Sequence, residues 1–332
     1  MANILKHSEI VELVDMPSAI NAMRKIFTQH ATNETTPTGL SHGSTKYGEF
    51  HIKSGGTHEY FATKINGGFF NNPKQGLPAI QGIILLSDGR TGKPLLIMDS
   101  SYTTGLRTAA TTALAASYLA PPDARKIGVV GTGNQAKMHI QAMRQIYPKA
   151  EIILCSVLDL SHAESSSLRQ KLTKEYGGGV YFWDNLKDVK EQCEILITCT
   201  PATSPFIMHS NASFIAAVGA DSKGKREISE EVVENHTIVC DIVAQSFKVG
   251  EMQYFQHLDV GTWPLPFEEN GDEFGSLGKV CLAGQNISSA SRKFLFDSTG
   301  TALQDLAMAK MIYEKITSDK HPGRGTWIDL SL

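Results

Sequence analysis

Apolar and polar positions change their rhythm about a third of the way along the chain. Ile20, Met23 and Phe27 recur at helical spacing behind Pro17, a residue suited to a first turn, and predict a helix over residues 16–30. Polar residues then crowd 33–46, and short strand-like pieces follow at 50–53 and 60–65. The stretch 67–76, rich in Gly and Asn, predicts a loop. Apolar runs at 80–86 and 95–98 predict strands, joined through the turn residues Asp88-Gly89-Arg90-Thr91-Gly92. Residues 106–119 carry many Ala and Thr and few large side chains, which suits a closely packed helix that Pro121 and Pro122 end.

Beyond the proline pair, strands and helices alternate. A β-branched run at 126–130 leads into Gly131-Thr132-Gly133-Asn134-Gln135-Ala136 and a helix at 138–146. A strand at 151–158 and a helix at 161–176 follow, then apolar strands at 195–200, 214–218, 237–241 and 292–296, and a closing helix at 301–316. Such alternation predicts an α/β protein with a Rossmann-type doubly wound parallel sheet, helices on both faces. A chain of 332 residues exceeds what one core usually serves, so two domains are expected, parting near the proline pair.

Composition narrows the function classes. The chain is 41% hydrophobic and 20% charged, within the globular range. A net charge of −3 without clustered Lys and Arg gives no reason to expect nucleic acid or an anionic membrane as partner. No apolar run approaches the roughly 18 residues that span a bilayer. Lys6, Glu9, Glu12 and Asp15 interrupt the segment where a signal peptide would be apolar, so a cytoplasmic protein is expected. Cys155, Cys193, Cys199, Cys240 and Cys281 lack metal-type pairing, and read as small buried hydrophobes rather than zinc ligands or disulfides.

Between a predicted strand and a predicted helix, Gly131-x-Gly133-x-x-Ala136 has the form of a dinucleotide-binding turn. The first glycine permits the tight turn, the second lets backbone approach a pyrophosphate, and Ala136 lets helix and strand pack closely. An acid that would hold the adenosine ribose of NAD is absent where expected. Ser156 stands there, Asp159 lies three residues on, and no arginine beside Ser156 marks a 2′-phosphate, so NAD and NADP both remain open. Lys64, before the glycine loop, is either a carboxylate or proton-transfer group or a solvated surface lysine. Arg107, among small residues, either grips a carboxylate bidentately or is structural. Asp221, behind the strand at 214–218, is either a ligand group at a parallel strand's carboxyl end or a turn acid.

These segments together resemble the ornithine cyclodeaminase/mu-crystallin family. The blocks run from Lys64 through Gly76-Leu77-Pro78, Thr91-Gly92-x-Pro94-Leu95 and Leu106-Arg107-Thr108-Ala109-Ala110 to the glycine turn. They resume at Val218-Gly219-Ala220-Asp221 with Gly224-Lys225 and Glu227, and end at Phe296-Asp297-Ser298-Thr299-Gly300 with Gln304 and Asp305. The resemblance implies a homodimer. A substrate and dimerisation domain of α+β type would hold 1–119 and 300–332, and a nucleotide domain 120–299. It implies that Lys64 and Arg107 hold the substrate carboxylate, that Asp221 manages the proton on the α-nitrogen, and that Gly131 to Ala136 receive the phosphates of NAD or NADP. Thr200, Ser298 and Thr299 would line the nicotinamide side.

The chain also departs from the family pattern. Many members have a basic residue upstream of the lysine that helps bind the carboxylate; residues 36–43 here hold no Arg or Lys, and Lys53 either replaces that base or is solvated. Glu59 is a candidate acid for a side-chain amine. The ending Ser298-Thr299-Gly300 with Gln304-Asp305 is more similar to the alanine dehydrogenase and ketimine reductase branches than to the cyclodeaminases. The expected activity is NAD(P)-dependent amino-acid dehydrogenation or imino-acid reduction. Two alternatives stand beside it: a cyclodeaminase that recycles NAD within the turnover, and a non-catalytic, nucleotide-dependent binder of small molecules.

Overall fold

The structure, a computed structural model, describes residues 1–69, 71–157, 160–256, 275–318 and 324–329. By its contacts the chain divides into two units, Met1–Thr108 with Thr301–Leu332, and Ala109–Gly300. The first begins with β1 (Ala2–Leu5), α1 (His7–Leu13) and α2 (Met16–Ala31). Five strands follow: β2 (Gly39–Ser44), β3 (Glu49–Gly56), β4 (Tyr60–Gly68), β5 (Ile80–Asp88) and β6 (Pro94–Asp99). The helix α3 (Ser101–Leu119) runs across the division. The second unit continues with β7 (Lys126–Val130), α4 (Asn134–Ile146), β8 (Glu151–Cys155), α5 (His162–Tyr176), β9 (Val180–Phe182), α6 (Leu186–Gln192) and β10 (Ile195–Thr198). Then come β11 (Phe214–Ala217), α7 (Glu230–Glu234), β12 (Thr237–Cys240), α8 (Val243–Val249), β13 (Gly275–Ser276), α9 (Leu277–Ala283) and β14 (Phe294–Asp297). The chain returns to the first unit with α10 (Ala302–Thr317) and β15 (Thr326–Ile328).

In the first unit one sheet has the order β15-β1-β6-β5-β4-β3-β2, with β2 through β6 pairing antiparallel and β1 parallel to β6. Alternation along β4 explains its two faces. Ala62, Lys64 and Asn66 are buried on the face that α10 covers, while Phe61 and Ile65 point the other way and stay 39% exposed. The α2 helix buries Ile20, Met23 and Phe27, the periodic positions that predict it. The strand β2 carries no buried residue, so no amphipathic alternation marks it among the polar residues 33–46.

The second unit holds the expected doubly wound sheet, all parallel, in the order β13-β12-β14-β11-β10-β7-β8-β9. Its inner strands are buried almost throughout, as strands covered on both faces must be. The chain enters at β7, moves outward to β9, and returns to β7's other side at β10. The carboxyl ends of β7 and β10 therefore flank the point where the winding reverses, the place where such sheets bind ligands. Two predicted helix starts move by four residues or more. The helix after the glycine turn begins at Asn134, not 138, and α3 begins at Ser101, not 106, so Arg107 lies in its second turn. Both early turns are polar and lack the apolar repeat that would reveal them.

Candidate active site

In the first unit the geometry centres on Asp305. Thr301 caps α10 and forms a capping box with Gln304, which places Asp305 in the first helical turn over the sheet. Lys64 Nζ hydrogen-bonds Asp305 Oδ1 at 2.9 Å and approaches Oδ2 to 2.7 Å. Arg107 donates from Nε to the same Oδ1 at 3.2 Å, and from Nη1 to Gln304 Oε1 at 2.6 Å. Lys53 lies directly opposite Lys64 in the β3–β4 register and is buried as well. The solvated reading of Lys64 and of Lys53 is therefore overturned: both project from the sheet face that the helix covers. Glu59, by contrast, is exposed and meets Lys310 at 3.1 Å.

Burial sets the electrostatics. It draws the Lys64 ammonium down from 10.5 to about 7; Asp305 opposes that shift, while Arg107 and Lys53 reinforce it. Burial also works against the Asp305 carboxylate, yet Lys64 and Arg107 prevail and hold it below the ordinary range. A proton on Lys64 is consequently easy to remove near neutrality, and cationic groups gather where an anion could be received.

In the second unit the glycine turn leaves β7 and starts α4. Gly131 has φ of +125°, a conformation that favours glycine, and a Cβ there would stand 2.8 Å from the Cys199 carbonyl oxygen. Gly133 is the N-cap of α4, has no side-chain cap bond, and a Cβ on it would meet nothing within 4 Å. Thr132 and Asn134 are exposed, Gln135 half-buried and Ala136 buried against the sheet. The turn thus presents an uncapped helix start with open space in front of it, which fits a pyrophosphate. Ser156 follows β8 directly and is half-buried; Asp159 lies outside the described residues.

A buried carboxylate organises the neighbouring strand ends. Glu227 Oε1 accepts from Thr200 N at 2.8 Å and Thr200 Oγ1 at 2.6 Å, and Oε2 accepts from Thr198 Oγ1 at 2.7 Å and Gly219 N at 2.8 Å. It ties the carboxyl end of β10 to that of β11, and so fixes the turn that carries Asp221. Desolvation raises the Glu227 pKa against those four donors. Asp221 is half-exposed and pairs with Lys225 Nζ at 2.6 Å. Thr299 donates to Asp241 Oδ1 at 2.8 Å. Ser298 Oγ, although buried, meets no hydrogen-bond partner among the described residues, leaving a polar atom for a bound group.

Sequence position alone gives Asp305, Gln304 and Glu227 no role beyond membership of the family blocks. The capping-box spacing from Thr301 to Gln304 marks a helix start, but no local signal says that the next residue meets Lys64.

One unit, doubly wound α/β with an uncapped glycine turn, and a second, built on an antiparallel sheet with a buried cation–carboxylate set, define a Rossmann-type protein of two units. The chain belongs to the ornithine cyclodeaminase/mu-crystallin family, whose pattern matches residues 2–320. It is 28% identical over 324 residues to an alanine dehydrogenase of Archaeoglobus fulgidus, covering 95% of both chains. An iminosuccinate reductase of Paracoccus denitrificans is 27% identical over 330 residues, covering 96% of this chain and 97% of the reductase. Among solved structures, an archaeal alanine dehydrogenase dimer with bound NAD superposes with a TM-score of 0.85 at 26% identity, covering 99% of each chain.

Proposed function

We propose that this protein is an NAD(P)-dependent oxidoreductase that acts on the α-carbon–nitrogen bond of a small amino or imino acid. The observation that carries this reading is the buried set of Lys64 and Arg107 on Asp305, with Lys53 alongside. In this reading the first unit is the substrate and dimerisation domain. Lys64 and Arg107 receive the substrate carboxylate, Lys53 adds attraction, and Asp305 keeps the two cations in place. Pinning the carboxylate orients the α-carbon and lowers the entropic part of the barrier. Lys64, able to lose its proton near neutral pH, is placed to hold or release one at the substrate.

The second unit is the nucleotide domain. The backbone of Gly131, Thr132 and Gly133 and the start of α4 at Asn134, Gln135 and Ala136 hold the pyrophosphate, and Ser156 faces the adenosine ribose. Thr200, Ser298 and Thr299 line the nicotinamide side, with Ser298 Oγ as a polar contact. The dinucleotide, when bound, supplies the hydride acceptor or donor. Asp221 takes the proton from the α-nitrogen during oxidation, returns it during reduction, and stabilises the positive charge on the carbon–nitrogen bond.

Assembly as a homodimer belongs to the same reading. Support comes from the dimeric archaeal relative and from the outer sheet face of the first unit. There Ile65 lies opposite Ile52 and Ile83 on the flanking strands, with Phe61 further along β4, and three of the four side chains are more than a third exposed. Five thiols outside any disulfide support a reducing, cytoplasmic setting.

The test is a screen of amino and imino acids with NAD and then NADP, read by absorbance of the reduced nicotinamide, on the parent and on Arg107→Ala. Turnover with α-carboxylate substrates should fall by about 2–3 kcal/mol in transition-state stabilisation. Equal loss with amines lacking the carboxylate would show that Arg107 is structural. Turnover without net change in reduced nicotinamide would point to cyclodeamination.

A further inference from the structure

We propose that His42, Glu49 and His51 form a binding site for a divalent cation of the zinc class. The three residues lie on β2 and β3, the pair of strands at one edge of the first unit's sheet. His42 is directly opposite His51 in the antiparallel register, and Glu49 precedes His51 by two residues, so all three project from one face. Their donor atoms converge within 4.8 Å of one another. His42 Nε2 lies 3.1 Å from one carboxylate oxygen of Glu49, and His51 Nε2 lies 3.0 Å from the other. Ligands sharing a tetrahedral ion at about 2.0–2.1 Å are about 3.3 Å apart, so each histidine already stands near that spacing from the carboxylate, and the remaining separation to close lies within 4.8 Å.

The donor set is two imidazoles and one carboxylate, which suits zinc and its borderline neighbours better than magnesium or calcium. Three protein ligands leave a coordination position open. A cation can enter from solvent, because the side chains of His42, Glu49 and His51 are 50%, 34% and 24% exposed. The hairpin is closed by a tight turn, with Thr45 N donating to Gly48 O at 2.8 Å, and the ligands are thereby held together before any ion arrives. The position also has a consequence for the site nearby. His51 sits two residues from Lys53 on the same face of β3, and opposite Asn66, which is two residues from Lys64 on β4. A cation here adds positive charge beside the buried lysines.

The experiment is calorimetric titration of Zn2+ into full-length, tag-free protein dialysed against chelator, with Mg2+ as the contrasting ion. The parent should take up one saturable equivalent of Zn2+ that His42→Ala and His51→Ala each weaken by at least about tenfold. Glu49→Gln should weaken it likewise while leaving both histidines in place. Melting temperatures in chelator check folding, and His42→Ala, exposed on an edge strand, should match the parent within about 2 °C. No saturable Zn2+ uptake by the parent, uptake of unchanged affinity in His42→Ala, or equal uptake of Mg2+ would overturn the proposal.

Discussion

Lys64 and Asp305 are separated by 241 positions in the sequence, yet their side chains meet at 2.7–2.9 Å with both almost fully buried. The lysine comes from the middle of a strand and the aspartate from the first turn of the helix that covers it, where the helix dipole also favours a carboxylate. Arg107 approaches the same carboxylate from a third element, so one acid anchors two cations.

Because Lys64 titrates at about 7 instead of 10.5, it should be visible in kinetics. The pH profile of kcat/KM, on whichever amino acid turns over, should bend near pH 7. Lys64→Arg, which stays charged, should remove that bend and lower kcat/KM by about 10² or more. The stability effect has a defined sign. Between pH 7 and 10.5 the folded protein binds fewer protons at this group than the unfolded chain does, so its contribution to stability rises with pH in that window. A profile of unchanged shape in Lys64→Arg would remove Lys64 from the proton chemistry.

Gly131 and Gly133, two residues apart in the glycine turn, should behave differently. Gly133→Val should leave the fold intact, because a Cβ there meets nothing within 4 Å, while dinucleotide affinity falls at least about tenfold. Gly131→Ala should instead destabilise the protein by about 1–3 kcal/mol, since φ is +125° and the Cys199 carbonyl lies 2.8 Å from the added Cβ. Titration with NAD and urea denaturation on both variants separate the effects. Unchanged nucleotide affinity in Gly133→Val would refute the pyrophosphate assignment.

Asp221→Asn preserves size on a half-exposed side chain, and stability should change by no more than about 0.5 kcal/mol. Turnover should nevertheless fall about 10²–10⁴-fold, the range for a positioned acid–base group. Rate and melting temperature measured on one preparation decide the matter. A rate within about threefold of the parent would make Asp221 a turn residue paired with Lys225.

Glu251 supplies a pH dependence of stability in the second unit. Burial, reinforced by Asp297, lifts its carboxyl from 4.5 to about 9, although it accepts from Glu227 N at 2.7 Å and Ile228 N at 3.3 Å. The folded state therefore binds more protons than the unfolded state between pH 4.5 and 9. The associated stability is complete below pH 4.5 and is lost as pH rises through 9. Glu251→Gln should flatten the fall in melting temperature from pH 6 to pH 9.5, by about 5 °C relative to the parent. Parallel curves for the two proteins would show that the group is not titrating there.

Local chemistry made the doubly wound sheet legible. Its inner strands are continuous apolar runs, and a glycine turn follows β7, so the fold class could be read directly, while the polar first turn of α4 left that helix's start four residues late. The family blocks extended that reading to Lys64, Arg107 and Asp221. Exposed β2 and the polar first turn of α3 carry no apolar repeat, and the second unit's helices of five to seven residues are too short for one to stand out, so these elements stay hidden. Burial was the other thing hidden. Whether Lys64 and Lys53 are solvated or desolvated depends on a helix more than two hundred residues away, and the fourfold acceptor role of Glu227 depends on two strand ends meeting. Spacing along a chain encodes local conformation and face; which charges lose their water is decided only when distant elements pack, because desolvation and Coulomb attraction act through space and not along the sequence.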